Sequence, residues 1–259
     1  MTAPLALVVA GFGLNCEVET AHAFEMAGAK ARIVHLPDLA AAPETLRDAA
    51  ILAVPGGFSF GDHLGAGNAL ASYLEARLKE AFADRIAGGG LVVGICNGCQ
   101  TLVRLGLLGP GIAVARNAAG GEADGGYQCR WVRVRAPQTM TSPWFEGIDT
   151  LDLPVAHGEG RFVFAPGAEQ TPALTYVDEA GAPAEGRFPA NPNGASADAA
   201  GLLDTTGRVL ALMPHPERYV RAEQHPNWTS IRERARRASA AEPREGDGLR
   251  LFRNAVAAV

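Results

Sequence analysis

Cys96, His215 and Glu217 are residues of types that do covalent chemistry, and each sits in a local pattern that makes it usable. Cys96 ends the apolar run of GGGLVVGICNGCQTL (residues 88–102), and Asn97-Gly98 then open a stretch with helical patterning. A cysteine there reads as a small buried hydrophobe, as half of a redox pair with Cys99, or as a nucleophile. Residues 94–98, GICNG, match a G-x-C-x-G form of the nucleophile elbow, a sharp strand-to-helix turn whose glycines let neighbouring backbone pass closely. A sulfur at a helix N-terminus meets the positive end of the dipole, which stabilises negative charge on it. The same turn frees the N–H of Asn97 to face a developing oxyanion.

Two further segments have matching chemistry. VPGGFSFGD (residues 54–62) follows a predicted strand, and the loop at Gly56-Gly57 can present a second N–H toward a reacting carbonyl. In LMPHPER (residues 212–218), Pro216 biases His215 toward an extended conformation. Positions i and i+2 of an extended chain share a face, so His215 and Glu217 are predicted to pair as base and orienting carboxylate. The competing patterns explain less. Cys96-Asn97-Gly98-Cys99 matches the C-x-x-C of thioredoxin-like proteins, but that reading leaves PGGFS and PHPE without a role. GFGLNC (residues 11–16) begins like a dinucleotide fingerprint, yet Cys16 stands where the third glycine belongs. Cys16 and Cys129 lack an elbow and read as ordinary core or loop thiols.

The elements that must position these residues alternate regularly in the first half. LALVVAG, ARIVHL, AAILAVP and GLVVGI read as strands, separated by helices over residues 17–27, over residues 67–86 and from Asn97 through Leu107. Continuous apolar strands alternating with helices predict an α/β fold, an open and mostly parallel sheet with helices on both faces. Ligands of such sheets bind beyond the carboxyl ends of the strands, where all three segments converge. From about residue 111, GIAVA, QCRWVRVRA, LDLPVAHG, GRFVFAP and RVLALMP read as short strands of a mixed β extension. Residues 221–248 carry Arg232, Arg234, Arg236 and Arg237 and read as a charged insertion, a solvated helix and loop, with a partner-docking surface as the alternative. LRLFRNAVAAV then reads as a last helix returning to the core.

Composition narrows the function classes. Hydrophobic residues make up 47% of 259, enough for a sizeable core, and no apolar run approaches the roughly 18 residues of a membrane span. The N-terminal run reads as a first strand rather than a leader, so a cytoplasmic, membrane-free protein is expected. A net charge of −5 argues against a general nucleic-acid binder. Four cysteines with a single C-x-x-C predict reduced thiols and no metal site. No G-x-x-x-x-G-K-[ST] loop occurs, so any ATP chemistry is expected on another chain.

PGGFSFGD, GICNGCQ, PVAHGEGRF, NPNGA (residues 191–195) and GRVLALMPHPER, in that order, resemble the class I (triad) glutamine amidotransferases. More narrowly they resemble the glutaminase subunits of phosphoribosylformylglycinamidine synthases, enzymes of purine biosynthesis. GLNCE and ARN (residues 115–117) are similar to that family as well. The resemblance implies one amidotransferase domain over residues 1–259 with a flavodoxin-like sheet. It implies Cys96 as nucleophile, His215 as base and acid, Glu217 as its carboxylate, and Gly57 and Asn97 as oxyanion donors. Gln100, His157, Gly158 and Gly160 would line the glutamine pocket. Implied partners are a large synthetase subunit, which uses ATP and magnesium, and a small accessory subunit; no cofactor is expected on this chain. A cysteine hydrolase or peptidase of similar fold, or a non-catalytic regulatory module, are the other classes. The sequence departs from the family at Gly65, where an arginine is common, and at Cys99, a position often aromatic.

Overall fold

The computed structural model describes residues 2–118, 125–137 and 141–259. Four strands alternate with helices in its first part: β1 (Leu5–Ala10), α1 (Glu17–Met26), β2 (Lys30–His35), α2 (Leu36–Ala41), β3 (Ile51–Val54), α3 (Asn68–Ala87), β4 (Leu91–Ile95) and α4 (Asn97–Arg104). The second part adds β5 (Ile112–Arg116), β6 (Gln128–Arg135), β7 (Thr150–His157), β8 (Glu159–Phe164), β9 (Leu174–Val177), β10 (Ala199–Leu203) and β11 (Val209–Leu212). Two helices close the chain, α5 (Trp228–Arg237) and α6 (Gly248–Ala257).

Nine strands form one sheet in the order β2-β1-β3-β4-β11-β10-β9-β6-β7, and β5 pairs with β8 separately. The pairs β1·β2, β1·β3, β3·β4 and β4·β11 are parallel, whereas β11·β10, β10·β9, β9·β6 and β6·β7 are antiparallel. This is the parallel core with a mixed extension that the strand patterning predicts. Burial follows the same division. Strands β3 and β4 are buried at every residue, as sheets covered on both faces require. Strand β7 alternates half-buried and buried residues, the mark of a strand with one core face.

Helix α3 turns Leu70, Leu74, Leu78 and Phe82 inward at four-residue spacing. Helix α6 buries Leu249, Leu251, Phe252 and Ala255, and the Phe252 ring meets Phe24 of α1 edge-on at 4.8 Å. Helix α5 has no buried residue; Arg237 pairs with Glu233 at 2.9 Å and Arg232 lies over the Trp228 ring. Residues 228–237 are thus a solvated helix, as their charge predicts. Strands β9 and β10 and helix α2 are additional to the elements predicted from the sequence.

Candidate active site

The carboxyl ends of β3, β4 and β11, three neighbours in the sheet, deliver the glycine loop, Cys96 and the His215-Glu217 pair to one place. Cys96 has φ 50° and ψ −103° at the junction of β4 and α4. A left-handed non-glycine residue costs about 1–3 kcal/mol and persists only where its surroundings over-determine it. Here its N–H donates to the Leu212 carbonyl (2.9 Å), and its own carbonyl accepts from the Gln100 N–H (3.0 Å). Gly98 makes the turn possible by close approach: a Cβ there would lie 1.8 Å from the Val54 carbonyl oxygen. Cys96 is buried, and its thiol donates to the Ala156 carbonyl at 3.7 Å.

His215 Nδ1 and Glu217 Oε1 are 2.6 Å apart, both residues 1% exposed. The pairing predicted from residues two apart is present, but not through an extended chain. His215 is close to extended (φ −105°, ψ 86°), and residues 216–218 then wind into a short 3-10 turn that brings the carboxylate back under the ring. Burial works against a charged ring. The Glu217 carboxylate, with the sulfurs of Cys96 and Cys16, outweighs burial and holds the His215 pKa well above the usual histidine value. His215 Nε2 is buried without a hydrogen-bond partner among the described residues, as is Glu217 Oε2.

The two expected oxyanion donors lie on either side of the elbow. Asn97 is the first residue of α4, a position whose N–H has no intrahelical acceptor. Gly57 has φ +152°, and a Cβ there would meet Gly13 O and Leu14 Cα at 2.6 Å. Its flanking bonds, Phe58 N–H to Gly13 O (2.9 Å) and Asn15 N–H to Gly56 O (3.1 Å), leave the Gly57 N–H without an acceptor among the described residues. The Asn97 side chain braces this loop, accepting from the Ser59 N–H (3.1 Å) and donating to Asp62 (3.0 Å) and Gln100 (2.9 Å).

The remaining predicted residues are tied together by hydrogen bonds among α4, β7 and β8. Gln100 is spanned by internal bonds: it accepts from Asn97 and donates to the Glu159 carbonyl at 2.5 Å. His157 is buried against Asn117, whose side chain accepts from the Gly160 N–H (2.9 Å) and donates to the His157 carbonyl (2.8 Å). Burial and the charge of His215 push the His157 pKa down to about 3, so the ring is neutral. Gly158 accepts from the Asn117 N–H (2.9 Å), and Gly160 accepts from Asn193 (2.8 Å). The ARN and NPNGA segments therefore hold the backbone of residues 157–160. At Gly65, φ is +92° and the Arg104 guanidinium lies 3.7 Å from where a Cβ would stand.

Two of the thiols behave differently from each other. Cys99 is fully buried; burial, then Cys96, raises its pKa well above the usual thiol value, which suits packing rather than exchange. Cys16 corrects its reading as an ordinary core thiol. It is 1% exposed, its sulfur accepts from Arg218 Nη2 at 3.0 Å, and it stands beside the His215-Glu217 pair. No elbow or spacing marks it, because its partners are 202 residues away along the chain.

Comparison with known proteins identifies the family and the fold. Residues 3–259 match the model of the CobB/CobQ-like glutamine amidotransferase domain. The phosphoribosylformylglycinamidine synthase subunit PurQ of Dehalococcoides mccartyi is 40% identical over 251 residues, covering 94% of this chain and 93% of that one. PurQ of Methanococcus maripaludis is 39% identical, covering 98% and 96%. Among solved structures, PurLQS from Thermotoga maritima superposes with a TM-score of 0.74 at 29% identity, covering 99% of both chains. A glutamine amidotransferase from Thermotoga maritima shares the fold at 15% identity and a TM-score of 0.54. A matching family model over nearly the whole chain and relatives at this identity place the protein: it belongs to the CobB/CobQ-like glutamine amidotransferase family, among the PurQ subunits of phosphoribosylformylglycinamidine synthase.

Proposed function

We propose that this chain is the glutaminase subunit of phosphoribosylformylglycinamidine synthase, releasing ammonia from glutamine for an ATP-dependent synthetase subunit in purine biosynthesis. The observation that carries the reading is the buried His215–Glu217 contact of 2.6 Å beside a strained elbow cysteine, in a chain 40% identical to a PurQ subunit.

In this mechanism the His215 ring, kept basic by Glu217, already holds the proton taken from Cys96, and the Cys96 sulfur attacks the side-chain amide carbon of glutamine. The tetrahedral oxyanion lies against the N–H groups of Gly57 and Asn97, each such donor supplying about 3 kcal/mol of transition-state stabilisation. His215, its positive charge supported by Glu217, then protonates the amide nitrogen, which leaves as ammonia. Water, deprotonated by the same ring, cleaves the γ-glutamyl thioester and frees Cys96. Neutral His157, with Gly158, Gly160 and Gln100, forms the pocket wall without adding a charge that would compete with His215. The chain functions as one domain over residues 1–259 with residues 221–248 as a charged insertion. Its partners are the large synthetase subunit, which uses ATP and magnesium, and a small accessory subunit, in the cytoplasm.

Cys96→Ala is expected to abolish glutamine-dependent synthesis by the reconstituted complex, while synthesis driven by free ammonia continues. Loss of both reactions would overturn the assignment of Cys96. Labelling with a glutamine-like electrophile and mass mapping should place the adduct on Cys96. Turnover of peptides or esters by the isolated chain would point instead to a general cysteine hydrolase.

A further inference from the structure

Among the described residues, the titratable and charged groups around the His215-Glu217 pair are Arg218 on the same turn, Cys96 between β4 and α4, Cys16 ahead of α1, His157 at the end of β7 and Tyr127 ahead of β6. The mechanism uses Cys96 and keeps His157 neutral. It gives nothing to Cys16 and Arg218, which bind each other.

Cys16 is the more firmly held of the two. Its N–H donates to the Gly56 carbonyl (3.2 Å), its own carbonyl accepts from the Thr20 hydroxyl (2.7 Å), and the residue is buried. A Cβ at Gly56 would lie 3.3 Å from Cys16 Sγ and 2.8 Å from His215 Cε1, so the sulfur and the ring edge pack under the same glycine. Arg218 is less constrained: its side chain is 39% exposed, and its Nη2 donates to Cys16 Sγ at 3.0 Å. That bond stops the guanidinium short of the carboxylate. Arg218 Nε is 3.7 Å from Glu217 Oε1, beyond hydrogen-bond range, although Glu217 Oε2 is buried with no partner among the described residues.

We propose that Cys16 is a positioning residue whose sulfur anchors the Arg218 guanidinium and so reserves the Glu217 carboxylate for His215. A guanidinium pairs more strongly with a carboxylate than with a neutral acceptor, and its forked donors suit both oxygens. The sulfur lies within 4.8 Å of a carboxylate oxygen, so once the anchor is gone a turn of the Arg218 side chain carries it onto Glu217. The carboxylate then divides its charge between two cations, one of them permanent, and supports the proton on His215 less well. That is the proton the departing amide nitrogen needs, so activity should fail at a lower pH on the alkaline side. The effect on rate rests on the reading of His215 as acid and base; the competition for Glu217 does not.

Two measurements test the anchor, one of them independent of glutamine chemistry. In the reconstituted complex, the alkaline limb of kcat/KM for glutamine should move down by about 1 pH unit in Cys16→Ala. Cys16→Ser, which keeps an acceptor for Arg218, should hold the limb in place. Cys16→Ala/Arg218→Met removes the competing cation and should return the limb to its native pH or above, a recovery that repacking alone does not produce. In the isolated chain, below the melting temperature of each variant, the ring nitrogen resonances of His215, assigned against His215→Asn, should show the same fall and recovery. An unmoved His215 titration in Cys16→Ala, or a fall that Arg218→Met does not reverse, would overturn the anchoring role. The expected resonance shifts in a chain whose complex turns over no glutamine would leave the anchor standing and sink the glutaminase reading instead.

Discussion

Burial and the nearby charge of His215 hold the His157 pKa down to about 3, against about 6.5 for a free ring. Above pH 6.5 neither folded nor unfolded chain protonates it, and the neutral ring costs nothing. As pH falls below 6.5 the unfolded chain takes up a proton that the folded chain refuses, so stability declines until the pH nears the folded value. Denaturant titrations should therefore show a loss of up to a few kcal/mol between pH 7 and pH 4 from this residue. His157→Gln should flatten that part of the profile; parallel pH profiles for the two chains would refute the account. That Cys96 stands at a strand-to-helix turn and that His215 and Glu217 pair was legible from single letters, because each lies inside a short pattern. Cys16 was not, since what distinguishes it is Arg218 and a ring edge brought from the far end of the chain.

Among the elements, the β4–α4 elbow is the least tolerant of added volume. Gly98→Ala would drive a methyl group into the Val54 carbonyl, 1.8 Å from the ideal Cβ, and β3 is too deeply buried to give way. The variant should be destabilised by at least about 1–3 kcal/mol in urea unfolding, with glutamine turnover lost at temperatures where the fold survives. A stable, fully active Gly98→Ala chain would mean that the strand and helix are less tightly apposed. The buried runs of β1, β3 and β4 and the four-residue spacing of α3 are strong periodic signals and were read directly. Strands β9 and β10 were not: they are four and five residues long, and AAGLL carries little β propensity, so tertiary pairing rather than local sequence makes them strands. Local preference also misled at residues 216–218, where the proline read as extended chain but opens a 3-10 turn.

At the scale of the whole molecule, the chain is built as one half of a transaction, and its glutaminase should be slow in isolation. Adding the synthetase subunit should raise glutamine hydrolysis severalfold in an ammonia-release assay; an equally active lone chain would refute this dependence. Strand β7 adds a constraint that follows from the curl of the sheet. It is the outermost strand of the extension, yet residues 154–156 return to the centre: Pro154 O accepts from the His215 N–H at 2.8 Å, and Ala156 O receives the Cys96 thiol. A single span of main chain thus holds the His215 backbone and the Cys96 sulfur together, using carbonyl groups that every amino acid possesses. The two carbonyls ask nothing of their own side chains, although Val155 between them is fixed by the core, so what this span must keep is its path: any motion that loosened it would shift His215 and Cys96 at once.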